Sequence, residues 1–224
     1  MNRPVYNLRP QRQSGIPDVI FVLLVINGLV FAAQQFAPSL LRYYFALWPM
    51  AQPFQMTYEQ FVEFWPRGIS SFMPWQLVTY GFLHGDFTHI AFNMFMLWMF
   101  GRELEYLMGP RRFIIYFMTG VVGAGIVQLI VANIVGGNYP TVGASGGVFA
   151  LLLAFGMSFP NRTVMLIFPP IPMKAKYMVI MFGLLELYLG FSGSAPGVAN
   201  FAHLGGMLFG FLLLRHWAGP RRSG

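Results

Sequence analysis

Gly143-Ala-Ser-Gly-Gly-Val-Phe-Ala-Leu-Leu-Leu-Ala-Phe-Gly-Met-Ser158 is an apolar run with a glycine-flanked serine at its start. As a helix of about 14–16 residues it spans roughly 21–24 Å, less than the bilayer core of about 30 Å. A helix this short must begin below a membrane surface. The preceding Gly136-Gly-Asn-Tyr-Pro140 must then dip into the membrane, where irregular backbone is tolerated only inside protein or beside water. Ser145 is therefore expected at the foot of a water-filled pocket, beside the free N–H groups and positive dipole end of a helix. A lone serine in a membrane helix commonly bonds back to its own helix, so its surroundings decide its role.

Those surroundings are membrane. Of 224 residues, 56% are hydrophobic and only 9% charged, against roughly a quarter charged in soluble domains. The net charge of +7 is spread between apolar runs as topology signals are, not gathered on one face as nucleic acid requires. With no cysteine, disulfides, thiolate metal sites and a cysteine nucleophile are excluded.

Working outward, six apolar segments are legible: Pro17–Phe36, Phe87–Leu107, Phe113–Val135, Gly143–Ser158, Lys176–Phe191 and Val198–Trp217. The first, second, third and sixth reach the span of about 20 residues; the fourth and fifth are short. The first run exceeds a signal-peptide core of about 7–15 residues, so it is read as an uncleaved helix. The fold expected is all-α: a polytopic bundle over residues 17–217, with cytoplasmic tails over 1–16 and 218–224.

With the N-terminus in the cytoplasm, six spans place Arg3, Arg9, Arg12, Arg102, Arg111, Arg112, Arg162, Lys174, Lys176, Arg215, Arg221 and Arg222 inside. Only Arg42 and Arg67 fall outside. This is a strong positive-inside bias, with both termini cytoplasmic. The long outer loop, Ala37–Asp86, is rich in aromatic and apolar residues, among them Tyr43, Trp48, Phe61, Trp65 and Trp75. It suits an interfacial insertion or an amphipathic cap on the bundle.

Helices two, four and six then run in the same direction. Polar residues near their starts share one depth toward the outer side: His89 and Asn93, Ser145, and His203. Intramembrane polar residues mark function by default. His203, Gly206 and Gly210 lie at i, i+3 and i+7, a thin helix face with Ala202 at its edge, and Gly146 and Gly147 offer a matching surface. Such closeness permits a Ser145–His203 hydrogen bond, so a nucleophile and base are expected there. His89 and Asn93, at i and i+4, either complete an oxyanion hole with the Ser145 N–H or knit helices together. His84 is either a loop anchor or incidental.

Gly143-Ala-Ser-Gly-Gly147 also fits the G-x-S-x-G elbow of soluble hydrolases. That context needs a preceding strand and a later acid before the histidine. No Asp follows Asp86 and Glu186 is the only acid after Ser145, so we read a dyad, with Glu186 unplaced and hydrated near the outer end. His84, Asp86 and His89 do not complete a metal site, and neither metal nor other cofactor is expected.

In His89 with Asn93, Gly143–Gly146, and Ala202–Gly210, the chain resembles the rhomboid family over about Trp75–Phe211. Gly101-Arg-Glu-Leu-Glu-Tyr-Leu-Met-Gly109 is also similar, with Glu105 matching a structural acid. The resemblance implies a six-helix bundle with a membrane-embedded first loop and an active site open to the outer side. It implies cleavage of single-pass or polytopic membrane proteins in the lipid bilayer of a bacterial inner membrane. It carries over Ser145 and His203 as catalytic pair and His89 and Asn93 as oxyanion donors. Helix five and the loop Gly193–Gly197 resemble a substrate gate and its cap. Where many members have Tyr, this chain has Phe149, which can stack on His203 but has no hydroxyl. The alternatives are a non-catalytic rhomboid-like binder of membrane helices and a proton-conducting transporter through His89, His203 and Glu186.

Overall fold

The computed structural model describes residues 17–50, 56–64, 70–136, 139–166, 170–193 and 199–219. The N-terminal tail with Arg3, Arg9 and Arg12 lies outside them. So do Trp65, Arg67, Gly137, Asn138, the loop beyond Gly193 as far as Val198, and Arg221 and Arg222.

Among the described residues six longer helices form the bundle: α1 (Asp18–Phe36), α5 (Phe87–Met108), α6 (Pro110–Val135), α7 (Ser145–Ser158), α8 (Ala175–Ser192) and α9 (Asn200–Ala218). Short helices α2 (Pro38–Phe45), α3 (Tyr58–Glu63) and α4 (Gln76–Thr79) lie between α1 and α5, and a 3-10 turn, Tyr80–Phe82, follows α4. By length and composition α1, α6 and α8 can each cross a membrane. Of the two segments expected to be short, the fourth is a 14-residue helix, whereas the fifth is in fact an 18-residue one. α5 and α9 are long enough but carry the polar residues His89, Asn93, Asn200 and His203.

The bundle is lipophilic outside as well as inside. Phe21, Leu29, Phe92, Ile115, Ile130, Leu184 and Leu212 are all exposed, which a water-solvated surface would not tolerate at this density. α7 is the exception. It packs against α5, α6, α8 and α9, and nine of its fourteen residues, from Gly146 to Gly156, are buried. A helix wrapped by protein need not match the bilayer thickness, which is why its short run suffices.

Glycines make this wrapping close. A Cβ on Gly206 of α9 would overlap the Gly146 carbonyl of α7, and one on Gly146 would overlap Ala124 of α6. Gly210 faces the Tyr116 hydroxyl, 2.5 Å from where its Cβ would sit. Gly147, expected to face α9, instead lies against the Phe117 ring of α6.

The first loop builds a small core of its own from Tyr43, Ala46, Trp48, Phe61 and Leu83. The Phe61 ring sits 5.1 Å from Tyr43 and 5.8 Å from Trp48, both edge-on. Buried Gln76 ties the loop together: its Oε1 accepts from the N–H of Trp48 and of Met73, each at 3.2 Å. The described part of the loop is thus folded on itself.

Two features lie on the opposite side. Thr163–Met165 (β1) and Pro172–Lys174 (β2) pair antiparallel, Val164 opposite Met173. Arg162 meets Glu103 at 2.9 Å. This ribbon was not legible as strand, since three residues a side carry too little alternation.

Candidate active site

Ser145 is the first residue of α7, so its backbone N–H has no partner within the helix. The chain reaches it through a fixed path. Leu47 and Thr141 exchange N–H···O bonds of 3.0 and 2.9 Å, and the Gly143 N–H donates to the Tyr80 carbonyl at 2.9 Å. The Tyr80 hydroxyl in turn donates to the Val121 carbonyl at 2.6 Å. Tyr80 therefore hangs the strand before Ser145 on α6, a role sequence reasoning missed because aromatics are ubiquitous here.

Gly143 has φ +126°, where a side chain is strained. A Cβ there would also come 2.7 Å from both Cε1 and Nε2 of His89 and 3.6 Å from Ser145 Oγ. The His89 imidazole thus lies over the same spot as the serine. Its other nitrogen, Nδ1, accepts the Gly85 N–H at 3.3 Å, and Asp86 caps α5 by accepting the His89 N–H at 2.8 Å.

His203 stands on α9 with Nε2 2.9 Å from Ser145 Oγ. Its ring stacks face to face on Phe149, centroids 4.4 Å apart and planes 4° apart. Phe182 of α8 packs edge-on against Phe149 at 6.4 Å. The phenyl ring therefore holds the imidazole flat without a hydroxyl.

The other site residues divide. Asn93 is buried and lines the same cleft, with its Nδ2 donating to the His89 carbonyl at 3.0 Å. His84 is buried beside it; its ring meets the His89 ring edge-on at 5.2 Å, and neither ring nitrogen has a partner among the described residues. The backbone of His84 exchanges two bonds of 3.0 Å with the Gln34 side chain of α1. Glu105 lies far from the serine. It accepts the N–H groups of Val19 and Ile20 at 3.1 and 3.0 Å, capping the start of α1.

Glu186 overturns an expectation. It is buried, not hydrated. Its Oε2 lies 3.0 Å from His203 Nδ1, at ion-pair distance but off the hydrogen-bond direction. Asn200 Nδ2 donates to the same oxygen at 2.7 Å. The spacing of Glu186 from His203 in sequence carried no signal, because the contact is between helices.

A cleft of about 1540 Å³ opens over these groups, lined by Ser145, His203, His89, Asn93 and Phe149. It continues between α5 and α8, past Met96, Met99, Met181, Phe182 and Leu185. Among the described residues these two helices make little contact with each other, so an apolar slot between them reaches the serine.

Fold and site define a polytopic helical membrane protein with a serine–histidine pair at the N-terminus of an enclosed helix. A family profile described as the Rhomboid domain matches residues 71–217, and the chain belongs to the rhomboid family. It is similar to Rhomboid protease GluP of Bacillus subtilis, 32% identical over 139 residues, which cover 61% of this chain and 25% of that protein. It is also similar to Rhomboid protein 1, mitochondrial, of Saccharomyces cerevisiae, 28% identical over 203 residues, 87% of this chain and 52% of that one. A third relative, RHOMBOID-like protein 6, mitochondrial, of Arabidopsis thaliana, is 30% identical over 152 residues, 66% and 45% of the two chains. The chain thus spans between a quarter and about half of these relatives' length.

Proposed function

We propose that the protein is an intramembrane serine endopeptidase, cutting peptide bonds in or near the membrane helices of other proteins. The observation that carries it is the 2.9 Å approach of His203 Nε2 to Ser145 Oγ at a helix N-terminus. In this mechanism Oγ attacks the scissile carbonyl carbon while Nε2 takes its proton. The negative charge that develops on the carbonyl oxygen is met by the Ser145 N–H, with the His89 ring and the Asn93 amide as further donors. His203 then returns the proton to the leaving amine. Water entering through the cleft, activated by the same nitrogen, releases the acyl group from Ser145.

Substrates are membrane proteins whose helices arrive by the slot between α5 and α8. In this reading α8 acts as the gate and the loop Gly193–Gly197, which lies outside the described residues beyond Gly193, as its cap. We assign it to a bacterial inner membrane with both termini cytoplasmic and the cleft facing outward; the distribution of Lys and Arg supports that orientation.

The test is cleavage of a panel of single-pass membrane proteins by purified enzyme, with Ser145→Ala and His203→Ala beside it. Each variant is expected to lose activity, and the double variant to be no worse, because nucleophile and base act as a unit. A folded Ser145→Ala enzyme with normal turnover removes Ser145 as the nucleophile, whereas folded wild type that cleaves no member of the panel favours a non-catalytic helix binder.

A further inference from the structure

A histidine that accepts a proton at Nε2 must present Nε2 bare and carry its resting proton on Nδ1. Here Nδ1 of His203 faces a carboxylate. Glu186 Oε2 is 3.0 Å away, on the neighbouring helix α8. The carboxylate is itself held: Asn200, three residues before His203 on α9, donates to that oxygen at 2.7 Å. Both Glu186 and Asn200 are at least 93% buried. Three polar groups converge where the surroundings are apolar, and the opposite support of the imidazole, Phe149, offers only a ring face.

We propose that Glu186 is a positioning residue for His203, making the site a Ser145–His203–Glu186 triad. The proposal rests on the hydrolase assigned above. The carboxylate selects the Nδ1–H tautomer and sets the ring plane. As Oγ bonds to the carbonyl carbon, its proton moves to Nε2, and the imidazolium so formed sits against a fixed negative charge. Glu186 takes no proton itself. The Nδ1–H direction is off line in the resting site, and such bonds tighten as the reaction complex forms. The competing role is a bolt: Glu186 and Asn200 join α8 to α9 whatever happens at His203.

The test separates these roles. Full-length protein in detergent is treated with a small fluorophosphonate, whose labelling rate reads activation of Ser145 and is independent of helix entry. The same preparations cleave a single-pass substrate, giving kcat and KM, and their thermal unfolding is followed. Glu186→Gln keeps the size and an oxygen for Asn200 but no charge. It is expected to lower labelling rate and kcat at least about tenfold, at most by the roughly 10,000-fold seen when an amide replaces the acid behind a catalytic histidine. KM should stay within about twofold, and Glu186→Asp should recover part of kcat. A folded Glu186→Gln protein that labels and cleaves at the normal rate overturns the triad. So does a loss confined to KM or to unfolding temperature. Should Glu186→Gln not fold, Asn200→Ala releases the carboxylate and is expected to slow labelling several-fold; an unchanged rate overturns the proposal equally. Wild-type protein that never labels at Ser145 sinks the hydrolase itself, whereas normal wild-type labelling with an unaffected Glu186→Gln variant sinks only the triad.

Discussion

Asn93 has two tasks within one amide group. Its Nδ2 donates to the His89 carbonyl, on its own helix, and an amide has a second N–H to offer to the cleft. Asn93→Ala is therefore expected to slow cleavage without abolishing it, by roughly 10- to 1,000-fold, as loss of one oxyanion donor among several does. A folded variant with full rate would return the residue to helix packing. His84 poses the opposite case, a buried ring with no partner on either nitrogen among the described residues. Burial, reinforced by the nearby His89, pushes its pKa down to about 4 from the ordinary 6.5. The neutral form is thus favoured in the folded state, so this contribution to stability is intact above pH 6.5. It is lost as the pH falls from there toward 4, by an amount on the order of 3 kcal/mol for 2.5 units. Unfolding midpoints of wild type and His84→Phe, measured at pH 7.5 and about 4.5, should converge or cross at the lower value. An equal acid-induced drop in both proteins would place the sensitive group elsewhere.

At the scale of elements, α1 depends on a residue 85 positions away. Its first turn has free N–H groups, and Glu105 on α5 accepts those of Val19 and Ile20. Apart from Ile20, Leu23 and Asn27, little of α1 is buried, so this cap does much to hold the helix to the bundle. Glu105→Ala is expected to destabilise the protein by about 1–3 kcal/mol, through donors left unpaired in an apolar setting. Glu105→Gln, keeping one acceptor, should cost less. Thermal unfolding in detergent checks both, and the Ser145 labelling rate of the folded fraction should be unchanged, because the cap is remote from the cleft. α7 makes the complementary point. Its sequence is too short to span, and it is stable because four other helices surround it, with Gly206 and Gly146 in backbone contact.

For the whole molecule, depth would govern where the proposed endopeptidase cuts. Ser145 begins an enclosed short helix, and His203 stands a few residues into α9. His203 lies three residues past Asn200, so at 1.5 Å per residue the reacting atoms sit about 5 Å from the start of α9, which on the proposed orientation is the outer end. A substrate helix hides its carbonyls in its own hydrogen bonds, so it must unwind to reach Ser145. Segments with Gly or Pro near their outer end unwind at least cost. Mass spectrometry of products from a single-pass substrate is expected to show cuts at the outer juxtamembrane region or in the outer third of the helix. Cuts confined to the cytoplasmic half would invert the topology.

Much was already decided in one dimension. The scarcity of charge, the six apolar runs and the partition of Lys and Arg dictate a membrane bundle, because solvent and length constraints act on each segment separately. The short run from Gly143 and the glycines flanking Ser145 and His203 placed those two side chains together, because helix period and helix length convert spacing into face and depth. The identity of partners across helices was different. That Gly147 faces Phe117 and not α9, that Tyr80 suspends the backbone before Ser145, and that Glu186 stands behind His203 follow from the rotation and shift of one helix against another. Those are set by the packing of the entire bundle, to which every interface contributes and which no single segment encodes.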